Sequence, residues 1–134
     1  MSVQYAKTFV DRACESKDVF ALYSIVNSIG REKVLSEPLK AFIRLWDWCC
    51  MTRSGIWQYY EGISLESVEE TATMLERNDL GEVALRYRAG FRNWQKPHYC
   101  GDLDNWIDEN WDAIEAAALN LVKSNLGSLY PDPK

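Results

Sequence analysis

Ser54-Gly55-Ile56-Trp57-Gln58-Tyr59-Tyr60 is the stretch of this chain that decides its fold. Two small residues that end a helix lead directly into three aromatic side chains and one amide. Because burying a large ring is worth on the order of 2 kcal/mol, we expect this corner to fold back into the core. Gln58 is then one of the few polar groups there and satisfies backbone groups at the helix break. The alternative is that Gln58 is an exposed contact flanked by aromatic rings.

Length and composition predict one globular domain over residues 1–134. Hydrophobic residues make up 47% of the chain and aromatic residues 13%, which is enough to bury a sizeable core. The N-terminus lacks the apolar run of a signal peptide, and no stretch is apolar enough to span a membrane. Cys49 and Cys50 are adjacent, which does not fit an ordinary disulfide framework. We therefore expect free thiols and a reducing, cytoplasmic location.

The charge is acidic and unevenly distributed. Net charge is -5, and the isoelectric point is about 4.9. Residues 97–134 carry two basic and seven acidic side chains, whereas residues 1–60 carry eight basic and six acidic ones. A direct nucleic-acid binder normally shows a basic patch, and an anionic membrane attracts basic segments. The sequence therefore argues against nucleic acid and membrane as direct partners.

Apolar periodicity and capping residues predict helices nearly throughout. The expected architecture is an all-α, single-domain bundle of about six helices with short connections. A short helical turn carries the aromatic corner, Asp79 and Glu82 form a capping box, and the tail from about residue 128 is expected to fray. The predicted helices run from about Val3 to Glu15, from Lys17 (capped by Ser16) to Gly30, from Ser36 to about Arg53, from Ser64 to about Asn78, from Asp79 to about Gln95, and from Asp102 or Asp104 to Leu126.

Catalytic and metal-binding signatures are missing from the sequence. His98, the single histidine, lies two residues from Cys100 with no second ligand pair at zinc-site spacing. A Cys–His nucleophile pair would also need an orienting group and an oxyanion hole. Neither a P-loop nor a Gly-x-Gly-x-x-Gly motif occurs. We expect a protein that is not an enzyme and has no catalytic residues, metal or cofactor.

Carboxylates show a helical order that suggests a partner-binding surface. On the last predicted helix, acids recur at intervals of four, four and three, which places them on one face: Asp104, Asp108, Asp112 and Glu115. A second cluster lies on the helix after Ser64: Glu66, Glu69 and Glu70. Between Asp102 and Val122 there is no Lys or Arg, although a merely solvated face usually mixes signs. A solvated face remains the alternative to a functional acidic surface.

The segment from about residue 39 to residue 89 shows a recognisable pattern. A helix ends at Gly55, then come Gln58 and the pair Tyr59-Tyr60, and apolar positions follow at Leu75, Ala84 and Ala89. This pattern resembles a family of small helical bacterial proteins, a domain of unknown function that includes a DNA mimic. The family's hallmark is an Asn-Gly-Gly corner, an aromatic residue, a Gln, two aromatic residues and an Asn. The chain departs from that hallmark at Arg53, Ser54, Ile56 and Gly62, and at Asn78-Asp79 in a later turn.

The resemblance implies an all-α domain, often dimeric, whose acidic surface occupies the nucleic-acid site of a partner. Related domains also resemble immunity proteins encoded beside secreted toxins. We therefore expect a non-enzymatic bacterial protein that inhibits a basic partner, either a toxin or a nucleic-acid-binding protein, through its acidic face. One alternative is a homodimeric scaffold with Trp57 or Trp94 at the self-interface. Another is a small hydrolytic enzyme with an apolar pocket near Gln58 and Tyr59 and a carboxylate of raised pKa.

Overall fold

The computed structural model describes residues 5–130, and helices account for 77% of them, with no β-strand in this range. The all-α prediction is confirmed. The expected number of helices is too low, because the aromatic corner forms a helix of its own and the last predicted helix is two. Within residues 5–130, no helix has the length and apolar character that crossing a lipid bilayer requires. The eight α-helices are α1 (Lys7–Glu15), α2 (Val19–Gly30), α3 (Glu37–Cys50), α4 (Trp57–Tyr60), α5 (Leu65–Arg77), α6 (Gly81–Asn93), α7 (Pro97–Glu109) and α8 (Trp111–Lys123).

Helix α3 is the centre of the core. The apolar stripe of α3 is broad, because Ala41, Leu45 and Trp48 are fully buried beside Leu39 and Phe42. Helices α2, α5 and α8 all pack against α3. The buried hydrophobic side chains of the described residues join in a single cluster around it. A helix that is apolar on most sides is one that other helices surround, which explains the breadth of the stripe.

The boundaries of the first two helices differ from the prediction. Helix α1 begins at Lys7 rather than near Val3, and Val3 itself lies outside the described residues. Ser16 does not cap α2; its hydroxyl donates to the carbonyl of Arg12 and closes α1. The cap of α2 is Asp18, whose carboxylate accepts from the backbone N–H of Ala21 at 3.1 Å. Ser16 and Asp18 both lie in the short link between α1 and α2. The Asp18 carboxylate is the stronger acceptor for the free N–H groups at the start of α2, so Asp18 is its cap.

The link between α5 and α6 is not the expected capping box. Asp79 adopts a left-handed conformation with φ of +64°, and α6 begins after Leu80 without a side-chain cap. The backbone N–H of Leu80 instead donates to the carbonyl of Leu75 at 2.9 Å. This is how a helix commonly ends when one residue after it is left-handed, and Asp tolerates that conformation better than most residues. The Ser64 cap of α5 is confirmed, since its hydroxyl accepts from the N–H of Ser67.

The last predicted helix is interrupted at Asn110. Helix α7 begins at Pro97, where a proline fits the first turn, and it ends at Glu109. Asn110 has φ and ψ of -105° and 12°, and its side-chain amide donates to the carbonyl of Trp106 at 2.8 Å. The backbone carbonyl of Asn110 then accepts the first bond of α8, from Ile114. An Asn side chain that bonds the backbone in this way ends one helix, and a one-residue break hardly disturbs the apolar period that suggested continuity.

The chain after α8 is packed further than the prediction of fraying from about residue 128 allows. Leu129 is buried, and the hydroxyl of Tyr130 donates to the carboxylate of Asp11 at 2.6 Å. These contacts connect the end of the described chain to α1. The remaining predicted tail, residues 131–134, lies outside the described residues.

Candidate functional site

The corner after α3 is built on a glycine. A short 3₁₀ turn, Met51–Arg53, extends α3, and Gly55 follows with φ of +104°, a conformation that favours glycine. The indole of Trp57 folds back over Gly55. A β-carbon at Gly55 would lie 2.7 Å from the Trp57 Nε1 atom, so only glycine leaves room for the ring. The corner therefore positions Trp57 by backbone geometry as well as by packing.

Only part of the aromatic corner enters the core. Ile56 and Tyr60 are buried and Tyr59 is half-buried, but Trp57 is 42% exposed. The prediction that Gln58 lies in the core is wrong, because Gln58 is exposed. Its side-chain amide donates to the carbonyl of Ser54 at 3.0 Å, so it closes the helix break from the solvent side. One turn of helix cannot point four consecutive side chains inward, and the largest ring remains outside.

Tyr60 lies at the centre of a buried hydrogen-bond chain. Its hydroxyl accepts from the indole N–H of Trp48 at 2.8 Å and donates to the backbone carbonyl of Tyr87 at 2.8 Å. The hydroxyls of Tyr59 and Tyr87 pair at 2.7 Å. Burial raises the pKa of all three tyrosines above the ordinary value near 10. This polar chain is a structural feature of the α3–α4–α6 contact, since none of the three tyrosines lines the cleft described below.

Alkaline unfolding is the expected consequence of these tyrosines. Burial and a hydrogen bond to Asp47 also raise the pKa of Tyr23, to about 12. The neutral hydroxyl is therefore favoured in the folded state, so its stabilisation is complete below pH 10 and lost as the pH rises toward 12. We expect tyrosinate absorbance and loss of helical circular dichroism to rise together over this range. Ionisation of the buried tyrosines before the helices unfold would contradict it.

An open cleft lies on the Trp57 side of the corner. We call it the aromatic cleft; its volume is about 550 Å³, which is in the size range of pockets that hold a small ligand or a side chain. The carboxylate of Asp104 at its edge accepts from the backbone N–H of Ile56 at 3.1 Å. The lining residues come from the glycine corner, from the link between α6 and α7, and from α7 itself: Gly55, Trp57, Trp94, Gln95, Pro97, Cys100, Gly101 and Asp104.

Two groups of the aromatic cleft have a shifted pKa. Burial raises the pKa of Asp104, and the N–H of Ile56 opposes that shift by bonding the charged form. Burial also raises the pKa of the Cys100 thiol, which lies 3.1 Å from the carbonyl of Trp94 as a hydrogen-bond donor. The cleft therefore pairs a carboxylate with two indole rings and a protonated thiol. It meets part of the requirement stated for an enzyme, a carboxylate of raised pKa in an apolar pocket, but it does not include Gln58 or Tyr59.

His98 stands apart from this thiol chemistry. It belongs to the first turn of α7, is exposed, and places its Nε2 atom 3.6 Å from the carboxylate of Asp102. Cys100 is buried and points to Trp94 instead. Among residues 5–130, no three His, Cys, Asp or Glu side chains are close enough to share a metal ion.

The predicted acidic stripe is divided by the break at Asn110. Asp104 and Asp108 share a face of α7, and Asp112 and Glu115 share a face of α8, so the four do not lie on one continuous helix. Asp108 and Asp112 are exposed, whereas Asp104 and Glu115 are half-buried. Asp104 faces the aromatic cleft. The expectation of one regular row of four carboxylates is therefore wrong, and two pairs replace it.

Tertiary structure brings other acids to the break. A small groove of about 190 Å³ separates α7–α8 from the α5–α6 link, with Asp79 and Glu82 on one side and Asn110 and Ala113 on the other. Asp79 and Glu82 line this groove, and Asp108, Glu109 and Asp112 lie within two residues of Asn110 along the chain. All five carboxylates are exposed, and we call them the acidic corner: Asp79, Glu82, Asp108, Glu109 and Asp112. No ion pair joins any of them to a cation within residues 5–130. The neighbouring cation Arg86 lies over the Trp106 ring, 4.9 Å from its centroid.

The acids of α5 belong to a different environment. Arg88 of α6 bonds Glu69 at 2.9 Å and Glu76 at 2.7 Å, so Glu69 is paired within the fold. Glu70 borders grooves that also contain Lys40 and Arg44 of α3. Glu66 is exposed. Glu69 and Glu70 therefore lie beside cations of the fold. That Glu66, Glu69 and Glu70 extend the partner-binding face stays a prediction.

Sequence reasoning missed several residues of the site. Trp94, Cys100 and Gly101 join the aromatic cleft, and Asp79 and Glu82 join the acidic corner. Glu109 could have been predicted as part of the acidic corner, since it lies in the stretch between Asp102 and Val122 that contains no Lys or Arg. Cys100 and Gly101 lie within about one turn of Asp104 on α7, whereas Trp94, Asp79 and Glu82 lie outside α7 and α8 and become neighbours of these helices through packing.

Comparisons with known proteins produced no match: no family model fits the chain, and no curated protein or solved structure is significantly similar to it. The likeness of residues 39–89 to a helical bacterial family therefore rests on the residues that carry it. The function has to be argued from the aromatic cleft and the acidic corner.

Proposed function

We propose that this chain is a non-enzymatic inhibitor that binds a basic protein through the acidic corner. The partner is either a toxin, which makes the chain an immunity protein, or a nucleic-acid-binding protein, which makes it a DNA mimic. The observation that carries the proposal is the state of the carboxylates: Asp108, Glu109 and Asp112 are exposed and without an ion pair among the described residues. Residues 97–122 contain no Lys or Arg to neutralise them.

The helix dipoles support a role beyond solvation. Asp112 is in the first turn of α8, where a negative charge is favoured. Asp108 and Glu109, in contrast, occupy the last turn of α7, which has no basic residue. A carboxylate at a helix C-terminus costs about 0.3–1 kcal/mol, and Lys or Arg would be favourable there. A surface selected only for stability and solubility has no reason to hold two acids at that position.

Electrostatics then explain how such a surface inhibits. Clustered exposed charge of one sign attracts an oppositely charged cleft over roughly 8–10 Å at moderate salt and speeds association by about 10- to 1,000-fold. Buried anchors at the centre of the contact set the dissociation rate. A basic cleft that normally binds nucleic acid would be covered by the acidic corner. The break at Asn110 gives the carboxylates an irregular spacing, which supports complementarity to a particular protein more than a copy of a regular phosphate row.

The test removes the charge of the acidic corner without changing its shape. We expect the variant Asp108→Asn, Glu109→Gln, Asp112→Asn to lose a basic protein that the wild type captures from a lysate of its own organism. With that protein purified, its association rate with wild type should fall steeply with added salt, and the variant should associate on the order of tenfold more slowly at low salt. Stopped-flow mixing measures both.

A matched control carries the same change in net charge elsewhere. Glu15→Gln, Glu32→Gln and Glu61→Gln remove the same three negative charges from exposed positions outside the acidic corner, and this variant should retain the partner. Loss of the partner in both variants would mean that net charge alone matters, and an association rate independent of salt would exclude the mechanism. Light scattering of the protein alone at several concentrations identifies the second candidate function, a homodimeric scaffold, for which the exposed ring of Trp57 is the favouring observation.

A further inference from the structure

The aromatic cleft, beside the acidic corner, combines two indole rings with a carboxylate. We propose that it receives an arginine side chain of the basic partner, between the rings of Trp57 and Trp94 and against the carboxylate of Asp104. This inference rests on the proposed function and names the anchor of that contact. The two features adjoin, because Asp104 and Asp108 stand one helical turn apart on α7, about 6 Å along its axis.

The shape of the cleft leaves room for such a side chain. Its volume of about 550 Å³ exceeds what a single side chain fills. A β-carbon at Gly101, one turn before Asp104, would meet no atom within 4 Å, so this wall of the cleft faces open space. Trp57 is 42% exposed although its ring folds back over Gly55. A partner's side chain would therefore bury apolar surface that the free protein leaves in water.

The charge of the cleft selects a cation. The Asp104 Oδ1 atom accepts from the N–H of Ile56, which fixes the orientation of the carboxylate. Its second oxygen has no hydrogen-bond partner among residues 5–130 and is left for an incoming donor. Cations favour the faces of indole rings, and an aromatic pair beside an acid is a common way to recognise them. An apolar side chain would leave the carboxylate partly desolvated and unpaired, which is unfavourable.

Arginine fits this arrangement better than lysine. Its planar guanidinium stacks on an aromatic face and donates in a fork to a carboxylate, whereas the lysine ammonium is a compact and strongly hydrated point charge. Internal cations close in sequence do not occupy the site. The Lys96 ammonium donates to Asn93 at 3.0 Å, and the Arg53 guanidinium lies 6.0 Å from the centroid of the Phe20 ring.

The test uses a probe that needs no partner. Nα-acetyl-arginine amide is titrated into isotope-labelled protein while the indole N–H signals of Trp57 and Trp94 are followed by NMR. We expect saturable shifts of both signals, with a Kd in the range of about 1 mM that suits one side chain. Nα-acetyl-citrulline amide has nearly the same shape without the charge, and it should bind at least tenfold more weakly.

Two variants separate the cleft from general attraction. Asp104→Asn keeps an oxygen that accepts from Ile56 but removes the charge, and it should weaken arginine binding about tenfold. Asp102→Asn removes the same charge from an exposed position on α7 outside the cleft, and it should leave the Kd within twofold. Equal binding of the citrulline probe, or equal effects of the two variants, would overturn the proposal. Arginine binding is measured without the partner, so its failure leaves the capture result on the acidic corner standing, and the reverse also holds.

Discussion

Gly90→Ala is expected to lower the free energy of unfolding by about 3 kcal/mol. Gly90 is buried in α6 directly under the Tyr60 ring, where a β-carbon would lie 2.4 Å from the hydroxyl oxygen and 2.6 Å from the carbon that bears it. Overpacking of this kind costs about 1–3 kcal/mol, and the displaced hydroxyl loses bonds worth about 1–3 kcal/mol more. The better helix propensity of Ala returns only about 1 kcal/mol. Urea denaturation followed by circular dichroism measures the change.

Gly101→Ala is the matched control for this prediction. Gly101 is also a glycine inside a helix, but its β-carbon would meet no atom within 4 Å. Removing the flexibility of glycine in a helix interior stabilises it by about 0.5–1 kcal/mol. The two substitutions should therefore shift the urea midpoint in opposite directions. A stabilising Gly90→Ala would show that Tyr60 does not lie against α6 as described.

Tyr60→Phe is expected to cost about 2–3 kcal/mol of stability although the aromatic ring remains. The change leaves the indole N–H of Trp48 without an acceptor inside the core, and an unsatisfied buried donor costs about 1–3 kcal/mol. It also removes the bond to the carbonyl of Tyr87. Trp48 is fully buried, so water cannot replace the lost hydroxyl without opening the core.

Tyr59→Phe provides the comparison, since it removes a hydroxyl of the same type one residue away. The half-buried Tyr59 hydroxyl pairs with that of Tyr87 and, unlike the Tyr60 hydroxyl, accepts no buried indole N–H. We expect a loss of about 1 kcal/mol or less. In a double-mutant cycle, Trp48→Phe should cost less in the Tyr60→Phe background than in the wild type. Equal costs for the two tyrosines, or no coupling in the cycle, would contradict the role assigned to the Trp48–Tyr60 bond.

Local features of the fold followed well from the sequence. The corner at Ser54-Gly55 and the cap at Ser64 were predicted, because each depends on residues within one or two helical turns. Errors occurred where two local solutions compete. Ser16 and Asp18 both cap helices, and Asn110 suits either a helix interior or a break, so composition alone did not distinguish between them. Asp79 was predicted to cap α6 because Glu82 follows three residues later, as in a capping box, whereas its backbone adopts a left-handed conformation after α5.

The candidate site followed less well, because its parts are distant in the chain. The Asp104 carboxylate bonds the N–H of Ile56, beside Gly55, although the two residues are 48 positions apart in sequence. Apolar periodicity within a helix does not predict a contact between residues so far apart. The same is true of Arg88 on α6, which pairs with Glu69 and Glu76 of α5. Apolar periodicity tells which side of a helix is buried, but it does not tell which helix lies against it.

The sequence by itself determined that this protein is all-α, that a glycine corner leads into three aromatic residues, and that its net negative charge is carried by residues 97–134. Those properties are set by local backbone preference and by composition. The tertiary structure alone decided that Trp57, Trp94 and Asp104 share a cleft, that Gln58 faces solvent, and that the acids gather at the Asn110 break. The reason is physical: these arrangements arise when helices pack to bury their apolar sides, and packing depends on the whole chain at once.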